Sequence, residues 1–192
     1  HYFGAGDVKF VDDGDKEINE KDMQVIGDPN PDIYGNLFTT LSYKRLKLDV
    51  NFNYSLGNDA YNYQRAQLEG GNRFMNQTVA MVNRWSYEGQ VTDMPKATWE
   101  DPQGNARFSD RWIEDASYLR LKSITLSYEL PINNTFIHGL TFWGQANNVF
   151  TVTKYLGADP EFSLGNSVLE QGIDRGLLAN SRNFMFGIKI NL

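Results

Sequence analysis

The sequence predicts an all-β chain, five long antiparallel strands joined by two tight turns and much longer loops, in the pattern of an outer-membrane β-barrel. Three observations predict it. Apolar and polar residues alternate at period two in five separate runs, which puts the apolar side chains of each strand on one face. The connections are very unequal, tight turns alternating with segments far longer than a hairpin requires. Lipid cannot satisfy an open sheet edge, and five strands are too few to close around an interior, so a membrane sheet of this kind would be one section of a larger barrel.

The elements follow in order. Residues 1–33 carry no sustained alternation and read as a loop. Leu37, Thr39, Leu41 and Tyr43 then face opposite Phe38, Thr40 and Ser42. After a Lys44-Arg45 turn, Leu46, Leu48, Val50, Phe52, Tyr54 and Leu56 alternate with Lys47, Asp49, Asn51, Asn53 and Ser55, giving a hairpin over 34–56. Residues 57–116 form a long loop, in which Asp59 is placed to cap a helical stretch through Ala60, Tyr63, Ala66 and Leu68 that stops at Gly70-Gly71. A second hairpin over 117–152 joins Ile124 to Leu130 with Leu140 to Val152 through the turn residues Pro131 to Asn134. Upstream of Ile124 the same face carries Arg120 and Lys122, so the apolar face is expected to stop there. A loop over 153–181 leads to a final strand over 182–192, with Phe184, Phe186, Ile188, Ile190 and Leu192 on one face.

Composition excludes several classes. The 192 residues carry a net charge of -6, leaving no basic field for a phosphate backbone. No apolar run reaches the roughly 18 residues of a membrane helix, and no signal peptide opens the chain. It opens on His1, as a piece of a longer polypeptide would. The 2 histidines, His1 and His138, lie in no catalytic motif, and no phosphate loop is present, so neither an enzyme nor a resident cofactor is expected. The run Asp12-Asp13-Gly14-Asp15-Lys16-Glu17 invites a calcium reading but fails as an EF-hand, since counting from Asp13 places Ile18 where Gly belongs and Gln24 where Glu belongs. A solvated acidic loop is the favoured reading, with a divalent cation at Asp12, Asp13 and Asp15 the minor one.

A series of motifs carries a resemblance. It includes Gly6-Asp7-Val8-Lys9-Phe10, Val25-Ile26-Gly27-Asp28-Pro29-Asn30-Pro31-Asp32, Gly57-Asn58-Asp59, Asn83-Arg84-Trp85, the run from Trp112 to Tyr128, Asn147-Asn148-Val149-Phe150-Thr151 and Asp159-Pro160-Glu161. In this order they resemble the C-terminal part of SusC/RagA family TonB-linked outer-membrane transporters. The resemblance implies the last five strands of a transmembrane barrel of about 22 strands. It also implies a plug domain absent from this chain, and a role in the import of oligosaccharides or peptides. The implied partners are the rest of the barrel and its plug, a SusD-like surface lipoprotein, the TonB complex through the missing N-terminal part, and outer-membrane lipid. The long loops would be extracellular and the C-terminus periplasmic.

On that reading Leu48, Val50, Phe52, Tyr54, Ile124, Leu126, Tyr128, Phe184, Phe186, Ile188 and Ile190 face lipid. Trp85, Tyr87, Trp99 and Asn166 are the candidates for substrate or partner contact, although packing is the stronger reading for Trp85. The same alternation also suits a soluble β-sandwich or lipocalin-like barrel with its apolar face inward. A soluble β-sheet binding module and an outer-membrane enzyme therefore stand as rival functions.

Overall fold

A computed structural model describes residues 3–132, 136–162 and 170–191. In chain order the strands and helix are β1 (Ile33–Tyr43), β2 (Leu46–Leu56), β3 (Asp59–Asn62), α1 (Tyr63–Glu69), β4 (Ile113–Asp115), β5 (Tyr118–Leu130), β6 (Gly139–Thr153), β7 (Ile173–Asp174) and β8 (Asn183–Asn191). They build a 5-stranded sheet of order β1-β2-β5-β6-β8 and a 3-stranded sheet of order β4-β3-β7. Two compact units result. A loop unit comprises His1–Asp28, Ala60–Glu114 and Ser163–Gly176, and a sheet unit comprises Pro29–Asp59, Asp115–Phe162 and Leu177–Leu192.

Neither sheet closes. Among the described residues, β1 of the larger one pairs only with β2 and β8 only with β6, so both outer strands leave a row of backbone groups without a neighbouring strand there. The expected transmembrane barrel is therefore corrected to two open sheets. Period-two alternation establishes that a sheet has two unlike faces, but it carries no information about whether its outer strands meet. The outer-membrane placement, with extracellular loops and a periplasmic terminus, rested on barrel topology and is withdrawn with it, as are the barrel and transmembrane-strand descriptions. No helix among the described residues is long and apolar enough to cross a membrane, which bears on helices alone.

Within the sheet unit the register explains both faces. Lys44-Arg45 closes the first hairpin with Tyr43 opposite Leu46, and Lys44 takes the left-handed conformation (φ 54) that so short a loop demands. Across the strands, Leu41, Leu48, Leu126, Gly144 and Phe186 form one row, and Thr39, Val50, Ile124, Ala146 and Phe184 the next. The eleven side chains expected to face lipid sit at alternating register positions of these strands.

The second correction concerns where that face ends. Ser123 pairs with Asn51 and Leu121 with Phe52, so Lys122 is an extra residue against β2, while in β6 both Asn148 and Val149 fall between the partners of Ser123 and Leu121. Asn148 relieves this bulge with a left-handed backbone, φ 50. An extra residue shifts the side-chain phase by one, so Leu119 and Leu121 rejoin the apolar face opposite Tyr54 and Phe52, and Arg120 turns to the polar face opposite Asn53. The apolar face continues where the uninterrupted alternation would have stopped it.

In the loop unit the helix begins later than expected. Asp59 to Asn62 is strand, with Tyr61 and Asn62 paired in parallel to Ile173 and Asp174. The cap is Asn62, whose side chain accepts from the Arg65 backbone N–H at 2.9 Å. The helix ends at Glu69, before Gly70 and the left-handed Gly71, φ 65.

Candidate functional site

The loop unit is organised by one indole. Trp112 is fully buried, and its Nε1 donates to the Arg107 carbonyl at 3.1 Å. The guanidinium of Arg65 lies 5.4 Å from its ring centroid and that of Arg111 at 4.5 Å, so two cations flank one aromatic ring. Burying cations requires partners. Arg65 donates to Glu69, one helical turn on, at 2.9 Å, to Glu114, and to the Arg111 carbonyl at 3.1 Å. Asn62 Nδ2 and Thr78 Oγ1 in turn donate to Glu114 at 3.2 Å and to Glu69 at 2.9 Å. Arg111 is the less compensated of the two: burial pushes its guanidinium below the ordinary value, against partial support from Glu69. Nothing here resembles a nucleophile beside a base; this cluster holds the unit together.

The sequence candidates separate on this scaffold. Trp85 lies against Gly6, where an added Cβ would sit 2.5 Å from the indole, and the Trp85 backbone N–H donates to the Met94 carbonyl at 2.9 Å. Its ring therefore packs. Tyr87 is exposed, and Trp99 is exposed in a tilted stack with Phe74, centroids 4.5 Å apart. Phe74 is 92% exposed, so this pair offers an aromatic surface to the outside, a feature with no spacing signal in the sequence. Asn166 lies outside the described residues.

Asp12, Asp13 and Asp15 converge, each offering a carboxylate oxygen within 4.8 Å of the others, and all three are exposed. The loop turns on itself by hydrogen bonds from the backbone N–H groups of Gly14 to Asp12 (2.6 Å), Asp15 to Asp13 (3.1 Å) and Glu17 to Asp15 (2.9 Å). Lys16 occupies a left-handed position, φ 67, that a glycine would suit better. The cluster could coordinate a divalent cation weakly, since calcium takes about six to eight oxygens and three carboxylates supply part of that shell.

On the polar face of the sheet unit the charges that alternation misplaced find their partners. Arg120, 1% exposed, pairs with Asp159 and with Glu161 at 2.9 Å, and Lys122 reaches Glu161 at 3.0 Å. Asp159 also accepts from the Asn180 backbone N–H at 2.8 Å, the Asn180 side chain at 3.1 Å and the Glu161 N–H at 2.9 Å. Burial alone would raise its carboxyl, but these hydrogen bonds outweigh it and hold the group below the ordinary carboxylate value. Arg120 and Lys122 two apart, and Asp159 and Glu161 two apart, were the available signal. Pairing them needed the strand register.

No protein-family model matches the chain. Among curated proteins it is 33% identical to TonB-dependent receptor P3 of Formosa agariphila over 96% of this chain and 19% of the receptor. It is 26% identical to TonB-dependent receptor SusC of Bacteroides thetaiotaomicron over 94% of this chain and 17% of the receptor. Two structures of the RagAB peptide importer, open-open and closed-closed, each match at a TM-score of 0.72 and 31% identity, over 85% and 84% of this chain and 17% of the importer chain. The chain is homologous to SusC/RagA-type TonB-dependent receptors and spans about a fifth of the length of the curated relatives it matches. The relatives it matches are TonB-dependent receptors and a peptide importer by name. That homology does not restore the expected reading of the chain as a barrel segment of an importer, because the described strands close no barrel; an open sheet with a loop unit fits a β-sheet binding module better.

Proposed function

We propose that this chain is the C-terminal part of a SusC/RagA-type receptor and serves there as a β-sheet binding module with no catalysis of its own. The observation that carries the reading is the extent of the likeness: 33% identity over 96% of the chain takes in sheet and loop unit together, so the two have been retained as one piece. The loop unit supplies the contact surface. Tyr87 and the Phe74–Trp99 stack present rigid aromatic area, which favours binding because little side-chain freedom is lost on contact. The apolar face of Leu48, Val50, Phe52, Tyr54, Ile124, Leu126, Tyr128, Phe184, Phe186, Ile188 and Ile190 meets apolar surroundings in the assembled receptor. The partners on this reading are the receptor's plug domain, a SusD-like lipoprotein, and the TonB complex through the N-terminal part of the receptor.

The test is co-purification of the SusD-like lipoprotein with the full-length polypeptide, with and without the paired changes Tyr87→Ala and Trp99→Ala. Association weakened about tenfold or more, with the fold intact by circular dichroism, is the expected result. Undiminished association would move the contact elsewhere. Turnover of a glycan or peptide by the purified protein, abolished by substituting a loop carboxylate, would replace the binding reading with an enzymatic one.

A further inference from the structure

The acidic arm of the loop unit borders a cavity of about 600 Å³ that the proposed function does not use. Its walls are apolar: Phe10, Ile18, Met23 and Phe108 all contribute, and Met23 and Phe108 are well exposed for side chains of their type. Its volume falls within the range of small-molecule sites, roughly 300–1,000 Å³, in which a few polar groups orient a ligand among apolar walls. Acidic groups outnumber basic ones among its polar residues, which also include Asn19, Gln24 and Ser109. Glu20, Asp22 and Asp110 line the cavity, and Arg107 is the cation among them.

Arg107 offsets one of those three charges and is held by partners other than the carboxylates. Its Nε donates to the Gly104 carbonyl at 2.9 Å and its Nη2 to the Gln103 carbonyl at 2.8 Å, while its guanidinium lies 4.7 Å from the Phe10 ring centroid. The guanidinium is thus bound into its own turn and covers one aromatic wall. Asp22 is fixed in place, accepting from the backbone N–H groups of Asn19 at 2.7 Å and Asp13 at 2.8 Å, which hold its carboxyl below the ordinary value. Lys21, the neighbouring cation on the arm, is directed to Asp15 at 3.8 Å. Phe108, in the lining, is braced by an edge-to-face contact with Tyr61, ring centroids 4.8 Å apart.

We propose that this cavity binds a small organic ammonium ion, a positively charged amine on an apolar body, with the body between Phe10, Ile18, Met23 and Phe108 and the charge toward Glu20, Asp22 and Asp110. A bare divalent cation does not suit it, since such an ion needs a close cage of oxygens and, among the described residues, Glu20, Asp22 and Asp110 do not converge as Asp12, Asp13 and Asp15 do. An anion meets three carboxylates. A neutral apolar molecule would displace water from Glu20 and Asp110 and offer their charges nothing in return. The inference is independent of the proposed function, which uses Phe74, Tyr87 and Trp99, so either can fail alone.

The test uses three ligands of one shape, 4-phenylbutylamine, 4-phenylbutanol and 4-phenylbutanoate, titrated onto the full-length protein and followed by saturation-transfer NMR. Saturable binding of the amine, at least about tenfold tighter than either twin, is expected. The paired changes Glu20→Gln and Asp110→Asn should weaken the amine about tenfold while leaving the alcohol unchanged. Both residues are exposed, so the variant is expected to fold, and Phe108→Ala supplies a second variant that should weaken all three ligands. Equal binding of the three ligands, an unchanged amine affinity in the charge variant, or no saturable binding of the amine would each overturn the proposal.

Discussion

The two units of this chain place their apolar side chains in opposite ways. The loop unit has short elements, yet its buried set includes Ala66, Met81, Met94 and Trp112, closed by the Arg65–Glu69–Glu114 cluster and by Asp7, which pairs with Lys96 at 3.0 Å and accepts from Asn105 at 2.9 Å. The sheet unit has long strands and regular ladders, yet turns much of its hydrocarbon outward, with Phe186 82% exposed and Phe184 64%. A backbone ladder can therefore define a strand without a core beneath it, whereas irregular segments hold one shape only when side chains fix them. The difference implies that single substitutions will weigh heavily on the loop unit and on the ion-pair cluster, and lightly on the outward face.

The largest effects should come from the buried groups. Trp112→Ala is expected to destabilise the loop unit by about 3–5 kcal/mol, because it removes a buried indole and leaves Arg65 and Arg111 facing a void. Arg120→Ala should cost a similar amount, about 3–5 kcal/mol, since it strands the buried Asp159 carboxylate. Hydrogen exchange distinguishes the two. Trp112→Ala should release amides of 60–114, and Arg120→Ala those of 115–162; simultaneous release of both units by either variant would show that they unfold as one.

Acid should act on the sheet unit through the same cluster. The Asp159 carboxyl is held below its ordinary 3.8 in the folded chain, so the unfolded chain binds the proton more readily and the stabilisation is greatest at neutral pH. It should decline as the pH falls through 3.8 and disappear below the folded value. In Arg120→Gln the acid-side loss of stability, followed by denaturant titration between pH 6 and pH 2 as a rough range, should be shallower. An unchanged slope would assign acid sensitivity to other carboxylates.

How much of this was legible follows from the same contrast. Strand β2 could be read with its observed ends, because eleven residues alternate without a break. In β5 the hairpin was read from residue 117, beside the observed start at Tyr118, but its apolar face only from Ile124, because the bulge at Lys122 reverses the phase. Strands β3 and β7, of 4 and 2 residues, are too short to show a period, and β3 converted the expected Asp59 cap into one at Asn62. Barrel closure was over-read from alternation, which records the two faces of a sheet and nothing about its edges. Of the site, the exposed Tyr87 and Trp99 were identifiable by residue type, but the stacking of Phe74 on Trp99 and the pairing of Arg120 with Asp159 join residues 25 and 39 positions apart. Sequence spacing alone could not pair them.

A smaller effect is expected at the helix cap. Asn62→Ala removes the acceptor for the Arg65 N–H and the donor to Glu114, and should cost about 1 kcal/mol in a thermal or denaturant melt. Asn62→Asp keeps the first interaction but sets a carboxylate against Glu114. It should recover less stability than a cap alone would give.

The smallest effect sharpens the comparison most. Phe186 is 82% exposed, and its ring lies over Gly144, where an added Cβ would come within 3.2 Å of it. Removing a side chain that is already in contact with solvent forfeits little burial, so Phe186→Ala in this chain should change stability by about 0.5 kcal/mol or less. Gly144→Ala tests the same contact from below. Its methyl group would need the ring to give way by a few tenths of an ångström, which an exposed ring can do, so this change too should be nearly neutral, and the two changes together should cost no more than Phe186→Ala alone. Urea titration of the three variants reads the outcome. A loss at Phe186→Ala approaching the 3–5 kcal/mol expected at Trp112 would mean that the outward face is covered, and that the contrast between the two units is one of partners instead of packing.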